Sequence, residues 1–175
     1  MTDVEHLVEA SYLGNTLWHW AVAAGIAIAA FLLLLLLRSA VQARYQKLAA
    51  TPETELLELP FKIVSRTTLL TVLVTSLFIG SQWLKLPATV TKAILTLFTI
   101  AVFWQIGLWA TVAVLAALDR KRQVSDPAAA SSMGIIGFLA RATIWSFVLL
   151  LTLDNLGVQI KPLLAGLGIG GIAVA

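Results

Sequence analysis

The chain has no cysteine, which removes disulfide frameworks, thiolate chemistry and Cys-based metal sites together. It has two histidines, His6 and His19, one in an acidic N-terminal stretch and one at the start of the first apolar run. No carboxylate lies deep in an apolar run to partner either of them. H-E-x-x-H, G-x-S-x-G and Walker patterns are all missing, so hydrolytic and nucleotide-driven chemistry have no foothold, and no enzyme activity or cofactor is expected. Charge is scarce as well. Only 12% of residues are Asp, Glu, Lys or Arg, against about a quarter in soluble domains. Residues 1–10 contain Asp3, Glu5 and Glu9 and no Lys or Arg, so they lack the basic start of a signal peptide.

What remains is apolar: 59% of the 175 residues are hydrophobic. The expected class is an all-α integral membrane protein with about five spans. Leu17 to Leu37 carries no charge and is led by Trp18 and Trp20, which suit a membrane interface. Residues 51–59 read as a loop with a short surface helix. A second span is expected from about Thr67 to Leu84, a third between Thr89 and Leu118, and a fourth from Ile135 to Leu153. The fifth is the glycine-rich C-terminal stretch. The resulting divisions are an extracytoplasmic segment 1–16, peripheral helices 17–118, a cytoplasmic linker 119–134 of which Val124 to Ser132 is a polar Ala/Ser stretch, and a terminal hairpin 135–175.

Lys and Arg set the orientation. Arg38, Arg44, Lys47, Lys62, Arg66, Arg120, Lys121, Arg122 and Arg141 fall on one side, and Lys85, Lys92 and Lys161 on the other. The richer side is cytoplasmic by this count, which leaves the N-terminus outside and runs the last helix inward. Arg141 is the one cation well inside a span. It either snorkels to phosphates or has a role of its own, and the two coincide if lipid contact is the role. Gln82 and Gln105, the most polar uncharged side chains in the spans, are expected to make helix–helix hydrogen bonds.

The last stretch, Leu163 to Ala175, follows Pro162 in the position where a helix tolerates proline. At about 100° per residue, Gly168, Gly171 and Ala175 share one face, and Gly166, Gly170 and Ala173 the opposite one. Ile169 and Ile172 with Ala165 form one ridge between them, Leu167 and Val174 the other. Small residues let helix backbones approach closely in lipid. Two opposed small faces suit a helix with a neighbour on each side, as in a ring of identical helices; a tightly packed helix in a monomeric bundle fits the same pattern. The letters from Gly166 through Gly168 to Gly171 also match G-x-G-x-x-G, but no strand precedes them and no acidic residue follows, so dinucleotide binding is rejected.

From Asp154 the chain reads D-N-L-G-V-Q-I-K-P-L-L-A-G-L-G-I-G-G-I-A-V-A. This resembles the start of the pore helix of the small-conductance mechanosensitive (MscS) channel family. The resemblance covers only about the last twenty residues. It implies a homo-oligomeric ring, usually a heptamer, opened by membrane tension, in a multi-pass protein of the bacterial inner membrane. It implies that Ile172, with Ile169 on the same ridge, lines the pore and forms a gate. It also implies that Gly166, Gly168, Gly170, Gly171, Ala173 and Ala175 pack helix on helix, and that Arg141 lies at a lipid-facing position of a tension-sensing helix. The expected partners are membrane lipids and copies of the chain itself, with no nucleic acid. Family members continue into the rest of the pore helix and a cytoplasmic domain, so the chain reads as a truncated one. The other class of function open to the sequence is a polytopic secondary transporter or accessory membrane protein. Internal repeats and broken helices at mid-membrane would favour it.

Overall fold

The computed structural model describes residues 11–49, 55–124 and 127–174. Within these, the side chains of 11–12, 49, 55–58, 122–124, 127–132, 167 and 169–174 lie outside the description. Two short strands, β1 (Ser11–Tyr12) and β2 (Asn15–Thr16), precede six helices. These are α1 (Leu17–Ala49), α2 (Glu55–Ser65), α3 (Leu69–Ser81), α4 (Ala88–Val124), α5 (Pro127–Asn155) and α6 (Lys161–Val174). The chain is an all-α membrane protein. α1, α4 and α5 are each long and apolar enough to cross a bilayer, and α2 and α3 together make a fourth, bent candidate.

The bilayer face is plain on α1, where Leu32, Leu33, Leu36 and Leu37 are all more than half exposed. Such a contiguous apolar surface belongs in lipid. The opposite face of α1 packs on α3 and on α2, while α4 packs on α3 and α2 and then pairs with α5. Small residues set the closest approaches. A Cβ built on Gly80 of α3 would lie 2.6 Å from the Ala23 carbonyl oxygen and 2.8 Å from the Ala27 Cβ of α1. On Gly107 of α4 it would lie 2.9 Å from a Val148 methyl of α5. Each glycine lets two helices touch where any side chain would push them apart. Aromatic pairs fill the adjoining levels: Phe78 stacks on Phe98 at 4.1 Å, and Trp104 meets Trp145 edge-on at 4.7 Å.

At the end where α1 starts and α3 finishes, the bundle carries a feature that the sequence reading does not contain. Leu13 (φ 54°) and Gly14 (φ 78°) form the tight turn of a hairpin joining β1 to β2. Two consecutive left-handed residues are the signature of a type I′ turn, and a non-glycine residue there is unusual. Asn15 fixes the hairpin in place. Its amide accepts from Lys85 N at 2.8 Å and donates to Lys85 O at 2.8 Å and Leu13 O at 3.1 Å. Asn15 is thereby buried.

Three further differences from the sequence reading have physical causes. The second span, expected from Thr67 to Leu84, is a helix only from Leu69 to Ser81, which at 1.5 Å per residue is about 20 Å long and short of the roughly 30 Å hydrocarbon layer. It is bent by 72° from the helix before it. The helix that holds the third span continues past the basic cluster 119–122 to Val124, although its apolar span ends within that cluster, at Lys121. The expected polar linker is largely helical, since α5 begins at Pro127.

Candidate pore hairpin and its supporting helices

The bend between α2 and α3 frees backbone groups that lipid cannot satisfy. Two distant side chains satisfy them. Gln105 of α4 accepts from Thr68 N at 2.9 Å and from the Thr71 hydroxyl at 3.1 Å, and its Nε2 donates to Arg66 O at 3.3 Å. Arg38 of α1 donates through Nε to Thr67 O at 2.9 Å. Thr68 caps α3, its hydroxyl accepting from Thr71 N at 3.2 Å. Gln105 is 2% exposed, a buried amide with both ends in use. The expected helix–helix role of Gln105 is what this network provides. Gln82 differs: it is the exposed C-cap residue of α3, and its Nε2 reaches only Phe78 O of its own helix at 3.5 Å. His19 is exposed and bonds locally to the Thr16 hydroxyl at 2.7 Å.

α5 descends along α4. Gly137 sits where a Cβ would touch Leu115 at 3.6 Å and Leu118 at 3.8 Å, and Trp145 and Val148 cover Gly107. Arg141 projects from the exposed side of α5, with Nε making a long 3.4 Å bond to Gly137 O one turn back. It lies about two turns from Met133, where the apolar span of α5 begins.

The end of α5 has a definite local cause. Val158 N donates to Leu153 O at 3.0 Å and Gly157 N to Asp154 O at 2.9 Å. Gly157 is left-handed (φ 81°). Those two bonds around a left-handed glycine are a Schellman motif, which closes the last turn and sends the chain off the helix axis. The N-L-G-V letters are therefore a helix stop. α6 restarts at once: Leu164 N donates to Ile160 O at 3.0 Å, and Pro162 occupies the first turn, where its missing N–H costs nothing.

α6 is unlike the other helices in its surroundings. Among the described residues, it packs on no other helix by more than a marginal contact. Residues 161–166 and 168 are exposed, and a Cβ on Gly166 or Gly168 would meet nothing within 4 Å. The backbone of Ile169, Gly170, Gly171, Ile172 and Ala173 is helical, but their side chains lie outside the described residues, as does Ala175 altogether. The proposed gate ridge and most of the two small faces therefore rest on helical register.

Residues 138–175 match the family described as mechanosensitive ion channel, transmembrane helices 2/3. The match takes in the second half of α5, the Schellman turn and α6. From residue 138 the chain is MscS-like. It is similar to the large-conductance mechanosensitive channel MscMJLR of Methanocaldococcus jannaschii, with 34% identity over 127 residues, 69% of this chain and 35% of the relative. The MscS-like chain thus spans about a third of the length of the curated relative it matches. No solved structure matches it significantly. The matched family and relative are channels and not enzymes.

Proposed function

We propose that this chain is the membrane part of a subunit of an ion channel opened by membrane tension, passing ions and small solutes to relieve osmotic stress. The observation that carries the reading is the contrast among its glycines. Glycine costs about 1 kcal/mol relative to alanine inside a helix. Gly80 and Gly107 offset that cost by letting helices of the same chain touch. Among the described residues, Gly166 and Gly168 meet nothing where a Cβ would sit, as is also true of Gly25 in α1 and Gly134 in α5, but only in α6 do two such glycines stand one turn from further glycines on a helix with little to pack on. Helix contact with other copies gives them a purpose, and a ring of α6 helices is the closed arrangement that uses both small faces. Seven copies is the number the MscS resemblance implies.

In that ring Ile169 and Ile172 face the axis, and Gly166, Gly170 and Ala173 of one copy meet Gly168, Gly171 and Ala175 of the next. A narrow apolar ring excludes water and with it ions, so the gate closes by dewetting. Arg141, exposed on α5, contacts lipid phosphates by snorkelling, which ties the hairpin to the bilayer. The bacterial cell membrane is the expected location; since the relative comes from an archaeon, the setting common to both is a prokaryotic cell membrane. The transporter reading has less support. Among the described residues the broken span is α2–α3, and there Gln105 and Arg38 already occupy Thr68 N, Arg66 O and Thr67 O. Suction on membrane patches containing the full-length protein tests the proposal. Stepwise currents that rise with tension support it, and tension-independent or absent currents refute it.

A further inference from the structure

Beside the tight crossing of α1 and α3 lies an apolar cavity of about 380 Å³, bounded by α1, α3 and the start of α4. Trp20, Ala24, Leu77, Val90 and Ile94 form its walls, and Leu13 of the hairpin forms its roof. The polar side-chain groups in the lining are the Ser81 hydroxyl, which donates to Phe78 O at 2.7 Å, and the Trp20 indole N–H; the rest is apolar. A buried water needs two to four polar partners, and so sparsely polar a lining favours an apolar occupant. Its volume falls in the range of sites that hold small ligands. The walls belong to apolar helices of a membrane protein, two of them, α1 and α4, long enough to cross a bilayer, so the surrounding medium is itself a supply of apolar chains. Lys85 lies between the lining residues Leu84 and Leu86, and its side chain is exposed.

The roof residue is held in an unfavourable backbone conformation. Leu13 adopts φ 54°, a region costly to a residue with a branched side chain. The three Asn15 bonds to Lys85 and Leu13 hold it there. The same clamp therefore sets both the roof over the cavity and the backbone of the lysine at its rim. We propose that the cavity is a phospholipid site: one acyl chain of an outer-leaflet lipid fills it under Leu13, and the phosphate of that lipid is held by Lys85. This inference stands apart from the channel reading, because it concerns α1, α3, α4 and the hairpin and not α6.

Photo-crosslinking tests it. The protein is placed in phosphatidylcholine vesicles containing a trace of phospholipid with a diazirine at mid-chain, irradiated, and mapped by mass spectrometry. The expected result is that adducts concentrate on Ala24, Leu77, Val90 and Ile94 relative to Leu33 and Leu97, which are exposed to bulk lipid. Ala24→Trp, which fills the cavity, removes the concentrated adducts, and Lys85→Glu thins them. Ala29→Trp, on the exposed surface of α1 away from the cavity, leaves them in place. The wild-type map decides the matter even if Ala24→Trp folds poorly. Adducts spread equally over cavity and bulk positions overturn the proposal, because the lipid is then only annular. Adducts absent from the cavity also overturn it, because something other than lipid then occupies the space.

Discussion

Gln105 stands near the middle of α4, a 37-residue helix with apolar residues on both sides of it. Its amide closes three hydrogen bonds at the α2–α3 bend, so its loss takes a partner from the buried Thr71 hydroxyl and from the partly buried Thr68 N–H and Arg66 C=O. A stranded buried group costs about 1–3 kcal/mol. Gln105→Leu should therefore lower stability by about 2 kcal/mol, read as a shifted unfolding midpoint in detergent. Gln82→Leu, at an exposed residue with only a weak local bond, should stay within about 0.5 kcal/mol of wild type. The sequence holds both glutamines in equally apolar surroundings. Which one is buried depends on the bend, and the bend's two supports, Arg38 and Gln105, come from helices far apart in the chain.

Among the elements, α1, α4 and α5 are legible from apolar run length alone, because nothing but a helix satisfies the backbone in lipid. The stop at 155–158 is legible as well, since a glycine at C′ is the commonest way to end a helix. Three features are harder. The apolar pattern runs on past Arg66-Thr67-Thr68 with no proline or glycine to mark the break, so α3 reads as longer than it is. The start of α5 did have a signal. Asp126 before Pro127, followed by alanines, is an N-cap and first-turn pattern, and the polarity of the stretch masks it. The hairpin at 11–16 depends on Leu13, a residue type that turn chemistry does not favour, and on a clamp to Lys85 seventy residues away. Orientation rests on the same helix order. With the N-terminus outside and residues 119–126 inside, Ser11→Cys should react with an impermeant thiol reagent in intact cells and Ser125→Cys should not. The chain has no other cysteine to confuse the result, and the opposite labelling would invert the topology.

At the scale of the whole molecule, the helices divide into a packed bundle, α1 to α5, and one helix with little to pack on. Glycine substitutions should separate the two. Gly80→Leu, at a crossing where even a Cβ comes within 2.6 Å of backbone, should disrupt the fold of each subunit. Gly166→Leu and Gly168→Leu, with open space around them in the chain, should leave the subunit fold intact and reduce the oligomer seen by native mass spectrometry. The central claim is that α6 lines a pore with Ile172 toward its axis and Val174 away from it. Single-channel recording under graded suction tests this most directly, comparing Ile172→Asn and Val174→Asn in the full-length protein. A polar ring at the constriction admits water and lowers the energy of the conducting state. The account predicts that Ile172→Asn opens at lower tension than wild type while Val174→Asn does not leak. A leaking Val174→Asn beside an Ile172→Asn that opens no more readily than wild type would contradict it.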